Sequence, residues 1–294
     1  MPLIVRRLVL AVILLMLACR AFAGSPLMLW EVSGKGSTVY LFGSIHVCTA
    51  ACFPLSPSVL ARLDASDALI VELDAERRAS RQRLLDAGRL PPGKTLSGML
   101  KPAERERLAG VLGSLGVPAA AVEGFRPWMA GLVISVQAAA QAGFDAGLGI
   151  DVSLMARSRK QGKMLIELES ADRQVRALSS GSDAEQIEAL NRLLEQVASG
   201  KMPAMLADLL QAWKTGDAAS LAGMVRDDLP DDSEQSKELL LHRNHEMARS
   251  IVARAQRGGK YFAVIGAAHL VGQSGVPTLL AQQGFKVVQV RDGE

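Results

Sequence analysis

The sequence predicts an α/β fold in which a central mixed sheet carries a large helical insertion. Short apolar runs typical of strands occur near both ends of the 294-residue chain. Between them, apolar residues recur with a helical period over long stretches. The length suits one large domain or two small ones. We therefore expect a single domain at 24–294, with helical insertions at about 80–160 and 171–257.

Residues 1–23 have the pattern of a secretory signal peptide. A basic start precedes the uncharged run Leu8–Ala18, and Ala21–Ala23 has the A-x-A form of a cleavage site. The run is shorter than the roughly 20 residues that span a bilayer. We expect cleavage after Ala23 and export to the periplasm or beyond the cell, with no transmembrane span in the mature chain. The alternatives are an uncleaved anchor or a lipoprotein lipidated at Cys19.

The charge of the mature chain argues against a nucleic-acid partner. Three of the 33 basic residues lie in 1–23, which contain no acidic residue, and the rest of the chain balances its 30 acidic residues. The mature chain therefore has no net charge. No basic patch of the kind that binds nucleic acid is apparent.

Six segments have the short, mainly apolar composition of strands. The first two flank a turn-forming segment, Ser33–Ser37, and predict a hairpin. The third, which reads ALIVEL, is apolar enough for a central strand covered on both faces. The predicted strands occupy 27–32, 38–42, 68–73, 164–168, 261–265 and 285–290.

The helices are predicted from periodicity and from their boundary residues. The first has Ser56 as N-cap and Pro57 at the first helical position. A long helical region in the second half is broken near Gly200 and Gly216. The predicted helices occupy 56–65, 102–112, 126–141, 147–159, 171–226, 233–257 and 277–283.

Two Gly-x-x-His segments, Gly43–His46 and Gly266–His269, each follow an apolar strand in a chain with four histidines. A glycine there permits a sharp turn and a close backbone approach. Imidazole is a common metal ligand and a general base. Sites in open α/β sheets form at the carboxyl ends of strands. We expect both histidines at one edge of one sheet; the alternative is two loop histidines with unrelated roles.

Two glutamates, Glu72 and Glu169, also follow predicted strands. A carboxylate buried in such a strand costs several kcal/mol unless it is paired or bound to a metal. Two histidines and a carboxylate are a common ligand set for zinc or a related divalent ion. These glutamates could therefore converge with His46 and His269, or they could lie at solvated strand ends.

The polar helix at 233–257 contains the segment LHRNHEMARS. His242 and His245 share a helix face. They could be metal ligands, but on a charged helix we expect them to be solvated. The segment is not an H-E-x-x-H motif, since position 249 is an arginine. Spacing alone favours an exposed Arg243, although a cation here could also stabilise an anionic intermediate.

The cysteine pair that follows His46 predicts a disulfide. Cys48 and Cys52 lie four positions apart in a chain with an export signal. A bridge between them would pin the loop behind His46. The alternatives are two soft metal ligands, or a Cys48 nucleophile with His46 as its base, and the expected bridge argues against both. Ser44 is not placed as the nucleophile of a triad.

The order of these motifs resembles the TraB/PrgY/GumN family, in its GumN-like branch. The resemblance covers most of the mature chain and includes the segments LFGSIHV, ALIVELD, FRPWMAGLV, LIELES, RNHEMA and VIGAAHL. This family is similar to the Tiki metalloproteases and is linked to the erythromycin-esterase and ChaN-like fold. The resemblance therefore implies that fold, a metal-dependent peptidase activity and a peptide or protein substrate.

The same resemblance implies roles for individual residues. His46, Glu72 and His269 would bind a divalent ion, with manganese or cobalt preferred over zinc. Glu72 would be a ligand or the general base, and Arg243 would be a catalytic or substrate-binding group. We expect Glu169, Asn244 and Ser44 to support these residues.

Two other functions remain open at this point. The first is a non-catalytic protein that binds or sequesters a peptide or signal. The second keeps a metal site but uses haem or another cofactor, as ChaN-like proteins suggest.

Overall fold

The computed structural model of the chain describes residues 24–229 and 234–293. The predicted signal peptide and Cys19 lie outside these residues. Within the described part of the chain, no helix has both the length and the apolar character needed to cross a membrane.

A six-stranded mixed sheet forms the centre of the fold, in the order β4-β3-β5-β2-β1-β6. The strands β2, β5, β3 and β4 are mutually parallel, and β1 is antiparallel to both of its neighbours. This confirms the predicted α/β class and all six predicted strands. The strands are β1 Pro26–Gly34, β2 Ser37–Ser44, β3 Ala68–Val71, β4 Met164–Glu167, β5 Gly259–Gly266 and β6 Lys286–Arg291.

Two interior strands of the sheet, β3 and β5, are mainly apolar and largely buried. All four residues of β3 are buried, as are the last five of β5. Strands that are buried on both faces have continuous apolar sequences instead of alternating ones. The polar residues at their carboxyl ends are consequently the first groups on these strands that can carry chemistry.

Helices make up most of the remaining structure. The N-cap prediction is confirmed, since the Ser56 side chain accepts a hydrogen bond from Ser58 N and Pro57 opens the first helix. The helices before β4 are α1 Pro57–Asp64, α2 Arg78–Gly88, α3 Leu96–Met99, α4 Pro102–Ser114, α5 Ala120–Glu123, α6 Pro127–Gln141 and α7 Ile150–Lys160. Those after β4 are α8 Ala171–Leu178, α9 Asp183–Ala198, α10 Met202–Lys214, α11 Ala218–Asp228, α12 Glu234–Ser236, α13 His242–Ala255 and α14 Val276–Gln282.

Three predicted helical regions differ from those observed. The segment predicted as one helix at 147–159 begins instead with a 3₁₀ turn, Ala146–Leu148, and continues as α7. In the region predicted at 233–257, a π-helical turn, Lys237–Leu241, separates α12 from α13. Periodicity alone predicts neither break, because both segments keep a helical spacing of apolar residues. In the region predicted at 171–226, a further break separates Leu178 at the end of α8 from Asp183 at the start of α9.

The helical insertion has an apolar core of its own. Helices α3 to α6 pack with α9 around buried leucine, valine, isoleucine and alanine side chains, separate from the core of the sheet. The insertion is therefore a packed helical layer beside the sheet and not an extended loop.

Candidate functional site

The two Gly-x-x-His segments end neighbouring strands of the sheet. Strands β2 and β5 are parallel, and Ser44 pairs with Gly266 at the carboxyl ends. On the other side of β5, Val71 of β3 pairs with Val264. The prediction that both segments share one sheet edge is confirmed, and Glu72 follows the adjacent strand at the same edge.

Gly266 is the point around which three predicted site residues meet. A Cβ atom at this position would lie 3.1 Å from Glu72 Oε1, 3.5 Å from His46 Nε2 and 3.5 Å from His269 Cδ2. The backbone N–H of Gly266 also donates a hydrogen bond to Glu72 Oε1. Any larger residue would fill the space that these side chains share.

Both glycines of the motif are required for close approach and not for a sharp turn. The φ angle of Gly266 is −51°, which any residue can adopt. At Gly43, a Cβ atom would lie 2.7 Å from Met28 Cγ and 3.1 Å from Ala267 Cβ. The Gly43 carbonyl accepts a hydrogen bond of 2.7 Å from Trp213 Nε1 of α10. The expected role in close approach therefore holds, and the expected role in turning does not apply at Gly266.

His269 lies in a buried 3₁₀ turn and is held by Asn244. Its Nδ1 is 2.6 Å from Asn244 Oδ1, and Asn244 Nδ2 donates to the Ser274 carbonyl at 2.9 Å. Since that carbonyl can only accept, the amide oxygen must face the histidine, and His269 Nδ1 carries the proton. His269 Nε2 is then unprotonated and lies 3.9 Å from Glu72 Oε2.

The surroundings of His269 favour its neutral form. Burial opposes the charged imidazolium, and the positive charge of Arg243 acts in the same direction. Glu72 offsets these effects only in part, so the pKa of His269 falls to about 4. The ring is therefore neutral at physiological pH.

His46 is held by a carboxylate instead of an amide. Its Nδ1 lies 3.1 Å from Oδ2 of Asp151 in the first turn of α7, and 64% of its side chain is exposed. Because a carboxylate only accepts hydrogen bonds, Nδ1 carries the proton and Nε2 is the nitrogen that faces Gly266. Removal of water from the ring nitrogens opposes its charged form, but the hydrogen bond and charge of Asp151 outweigh this effect and raise the pKa of His46.

The loop that carries His46 is tied to the start of α7. The backbone N–H of Ile150 donates to the Ile45 carbonyl at 3.0 Å, and Cys48 and Asp145 exchange backbone hydrogen bonds of 3.0 and 2.7 Å. Cys48 and Cys52 form a disulfide in the structure, in agreement with the prediction. The loop is therefore fixed on both sides of the histidine.

Arg243 is buried, so the expectation of an exposed arginine from spacing alone is wrong. Its side chain is 8% exposed and lies between two carboxylates. It donates to Glu72 Oε2 at 2.6 Å, and to Glu169 at 2.9 and 2.7 Å in a bidentate pair. The remaining nitrogen donates to the Leu239 carbonyl at 3.1 Å, within the π-helical turn.

The cationic groups around Glu72 keep its carboxyl ionised. Burial alone would raise the pKa of this carboxyl, but the positive charges of His269, Arg243 and His46, with the N–H of Gly266, lower it to about 2. Burial raises the pKa of Glu169 in spite of its pair with Arg243. Glu72 is thus ionised throughout the neutral pH range.

The other predicted positions fall into two groups. Ser44 lies next to Gly266 in the ladder, and its buried Oγ has no hydrogen-bond partner among the described residues. His242 bonds to Glu238 at 2.8 Å and is half exposed, and His245 is exposed. Both histidines of α13 therefore face solvent, as expected.

The donor atoms around Gly266 are of the types that bind a divalent ion. The two histidines present Nε2, Glu72 supplies a carboxylate, and Asp151 Oδ1 is buried without a partner among the described residues. However, no group of three His, Cys, Asp or Glu side chains within 24–229 and 234–293 is close enough to hold a metal as it stands. Glu72 Oε2 is already bonded to Arg243, so the guanidinium and an ion would share this carboxylate.

Asp151 is the site residue that the sequence reasoning missed. It lies in a segment that was predicted only as helix, and its partner His46 is 105 residues away in the chain. One local signal could have identified it. Asp151 is an acidic residue in the first turn of the helix that precedes β4, and the start of such a helix lies near the carboxyl ends of the strands.

Comparison with known proteins identifies the family to which the chain is similar. The profile of the TraB/PrgY/gumN family matches residues 28–289. The Escherichia coli protein YbaP is 26% identical over 241 residues, which are 82% of this chain and 87% of YbaP. The metalloprotease TIKI2 of Danio rerio is 24% identical over 297 residues, which are 84% of this chain and 57% of that protein. No solved structure matches the chain significantly.

Proposed function

Because the chain belongs to the TraB/PrgY/gumN family, we propose that it is a metal-dependent hydrolase that cleaves peptide bonds. One observation carries this proposal: His46, His269 and Glu72 surround the space left by Gly266, beside a buried arginine. The similarity to a metalloprotease agrees with it.

His46 and His269 would hold the ion through Nε2, with Glu72 as the carboxylate ligand. Asp151 and Asn244 fix the two imidazole rings, which is the role that outer partners have in metal sites. When bound, a divalent ion supplies Lewis acidity and lowers the pKa of a coordinated water. The ion itself is part of the proposal, with manganese, cobalt and zinc as the candidates.

Glu72 acts as a ligand in this mechanism and not as the general base. A carboxylate whose pKa is about 2 is a weak base at neutral pH. Arg243 has a fixed positive charge, held by two carboxylates in a buried position. It is suited to stabilise the oxyanion that develops when the scissile carbonyl is attacked.

Export of the protein is part of the same proposal. The signal-peptide pattern of residues 1–23 and the Cys48–Cys52 disulfide both support a compartment outside the cytoplasm. Expression of the full chain with a C-terminal tag tests this. A periplasmic or secreted product that begins at Gly24 is expected, and a cytoplasmic product of full length would refute export.

Elemental analysis of the purified mature protein tests the proposed function. We expect about one manganese, cobalt, zinc or iron per chain, lost in His46→Ala and His269→Ala and kept in the exposed control His245→Ala. Peptide hydrolysis with the bound ion should follow the same order. A protein that takes up none of these ions after loading, or in which both histidine variants keep full activity, would refute the proposal.

One observation favours a second function, a peptide-binding protein without catalysis. Glu72 already has a cationic partner in Arg243 at 2.6 Å, so the buried charges are balanced without a metal. This alternative predicts that peptide affinity persists in His46→Ala and that no turnover occurs with any ion. A Soret absorption band in the purified protein would indicate haem instead.

A further inference from the structure

A cleft of about 430 Å³ lies among the helices of the two insertions. One wall is formed by α6 and α9. The opposite wall contains the end of α8, the end of α11 and the π-helical turn. Leu239 lines this cleft, and its carbonyl accepts the hydrogen bond from Arg243. The cleft therefore begins one residue contact away from the candidate site.

Two residues of the insertion that line the cleft carry buried polar atoms without partners. Trp128 Nε1 is a donor and Gln186 Oε1 is an acceptor, and neither has a hydrogen bond within the described part of the chain. The orientation of the Gln186 amide is fixed, because its Nε2 donates to the Ser179 carbonyl at 2.9 Å. Leaving a polar group buried and unpaired costs about 1–3 kcal/mol, so a ligand that supplies both partners gains affinity.

The charge of the cleft is negative. Four carboxylates line it, at Glu185, Asp227, Asp228 and Glu234, against the single arginine Arg192. Neighbouring side chains neutralise two of these five charges. Arg192 pairs with Glu188 at 2.9 Å, and Glu234 pairs with Lys237 at 2.6 Å.

The two aspartates at the end of α11 have no cationic partner among the described residues. Asp228 accepts a hydrogen bond only from the neutral amide of Gln196, at 3.1 Å, and Asp227 has no partner among the described residues. A cationic ligand would complement this pair.

We propose that the cleft binds an extended segment of a basic peptide. The peptide units of such a segment offer a carbonyl for Trp128 Nε1 and an N–H for Gln186 Oε1. A lysine or arginine side chain of the same segment reaches Asp227 and Asp228, and the exposed Leu132 on α6 contacts its apolar parts. As a substrate site this inference rests on the proposed function, since the segment would lead towards Arg243.

Fluorescence anisotropy with a labelled octapeptide containing two lysines tests the inference. The mature full-length protein is used with a chelator present, so that binding is measured without hydrolysis. We expect saturable binding, and at least tenfold weaker binding of the same peptide with glutamates in place of the lysines. Spermidine, a polycation without peptide bonds, should not compete at equal charge concentration.

Three variants separate the contributions. Asp227→Asn should weaken binding about three- to fivefold, as for loss of an exposed charge pair. Trp128→Phe, which keeps an aromatic ring and removes the donor, should weaken it about three- to tenfold. The control Glu106→Gln removes an exposed carboxylate on α4, which does not line the cleft, and should bind as the wild type does.

Equal binding of the lysine and glutamate peptides, or unchanged affinity in both Asp227→Asn and Trp128→Phe, would overturn the inference. Displacement by spermidine would show a polyamine site instead. Binding that depends on these residues, without hydrolysis under any ion, would refute the proposed function and leave the cleft assignment standing. If both variants hydrolysed basic peptides at the wild-type rate, the proposed function would stand and the cleft assignment would be refuted.

Discussion

The two Gly-x-x-His segments have the same spacing and end paired strands, yet their histidines have opposite surroundings. His269 is 5% exposed and bonds to a neutral amide. His46 has a side chain that is 64% exposed and bonds to a carboxylate. The first arrangement keeps the ring neutral, and the second favours the imidazolium. A shared motif therefore places two equivalent nitrogens together, while the groups behind them give each histidine a different charge.

The difference follows from what covers each strand end. His269 continues directly from β5 into a 3₁₀ turn, and α13 covers it with Asn244. His46 lies two residues beyond β2, on a loop that the start of α7 supports from one side. The buried unit, Gly266–His269, is part of the sheet core. The exposed unit, Gly43–His46, is held by two tethers: the backbone contacts with α7 and the disulfide.

The largest expected difference is in stability. His269→Ala should lower the free energy of unfolding by about 2–4 kcal/mol, because it leaves a buried cavity and an unpaired Asn244 oxygen. His46→Ala should cost less than about 1 kcal/mol, as for a mostly exposed residue. Urea denaturation of both variants with a chelator present measures this. Equal losses would mean that the two histidines are equally built into the core.

The pH dependence of stability should have opposite signs for the two histidines. The lowered pKa of His269 means that its contribution is complete above about pH 6.5 and is lost as the pH falls towards 4. The raised pKa of His46 means that its contribution is complete below about pH 6.5 and is lost as the pH rises through its folded-state pKa.

Urea unfolding of the metal-free protein at pH 4.5, 6.5 and 8.5 tests these signs. In His269→Gln the loss of stability towards acid should shrink by an amount on the order of 2–3 kcal/mol. In His46→Gln the loss of stability towards alkaline pH should also shrink. The change should be smaller than for His269→Gln, because solvent screens the exposed pair of His46 and Asp151. If His269→Gln lost as much stability between pH 6.5 and 4.5 as the wild type does, the buried neutral ring of His269 would not be the cause of that loss.

Much of this comparison could be predicted from the sequence. Apolar runs that end in Gly-x-x-His identify the strands, and parallel pairing brings their ends together. Glu72 could be predicted as well, since a carboxylate at the end of a buried strand requires a partner. These are consequences of local pattern and of general rules of sheet topology.

The groups behind the histidines could not be predicted in the same way. The pairing of His46 with Asp151 spans 105 residues, and that of Arg243 with Glu72 spans 171. The buried Arg243 donates to the Leu239 carbonyl of a π-helical turn, and helical periodicity does not reveal that turn. Long-range packing of the insertion thus decides the electrostatics of the site.

A third prediction replaces the carboxylate behind His46 by an amide. Asp151→Asn gives His46 an amide partner, as His269 has in Asn244, so His46 loses its charged acceptor. Metal affinity at neutral pH should fall about 10- to 100-fold, as for other changes behind metal ligands. Asp64→Asn is the matched control. It removes a carboxylate that pairs with Arg157, which lies on α7 as Asp151 does. A titration with manganese monitored by calorimetry distinguishes them, and equal affinities in both variants would exclude a role for Asp151.

The smallest expected effect on metal binding and activity concerns the Cys48–Cys52 disulfide, which tethers only the loop of His46. Replacing Cys48 and Cys52 together by serine removes a five-residue loop constraint, which should cost about 2 kcal/mol or less. The backbone contacts of Ile45 with Ile150 remain, so His46 should stay near Gly266 and activity should fall only a few-fold. The same treatment cannot loosen His269, because no disulfide of the described chain touches its turn. Metal content and peptide turnover, measured before and after reduction of the wild type, should therefore change only slightly. Complete loss of the metal on reduction would show that the disulfide, and not the contact with α7, holds the exposed histidine in place.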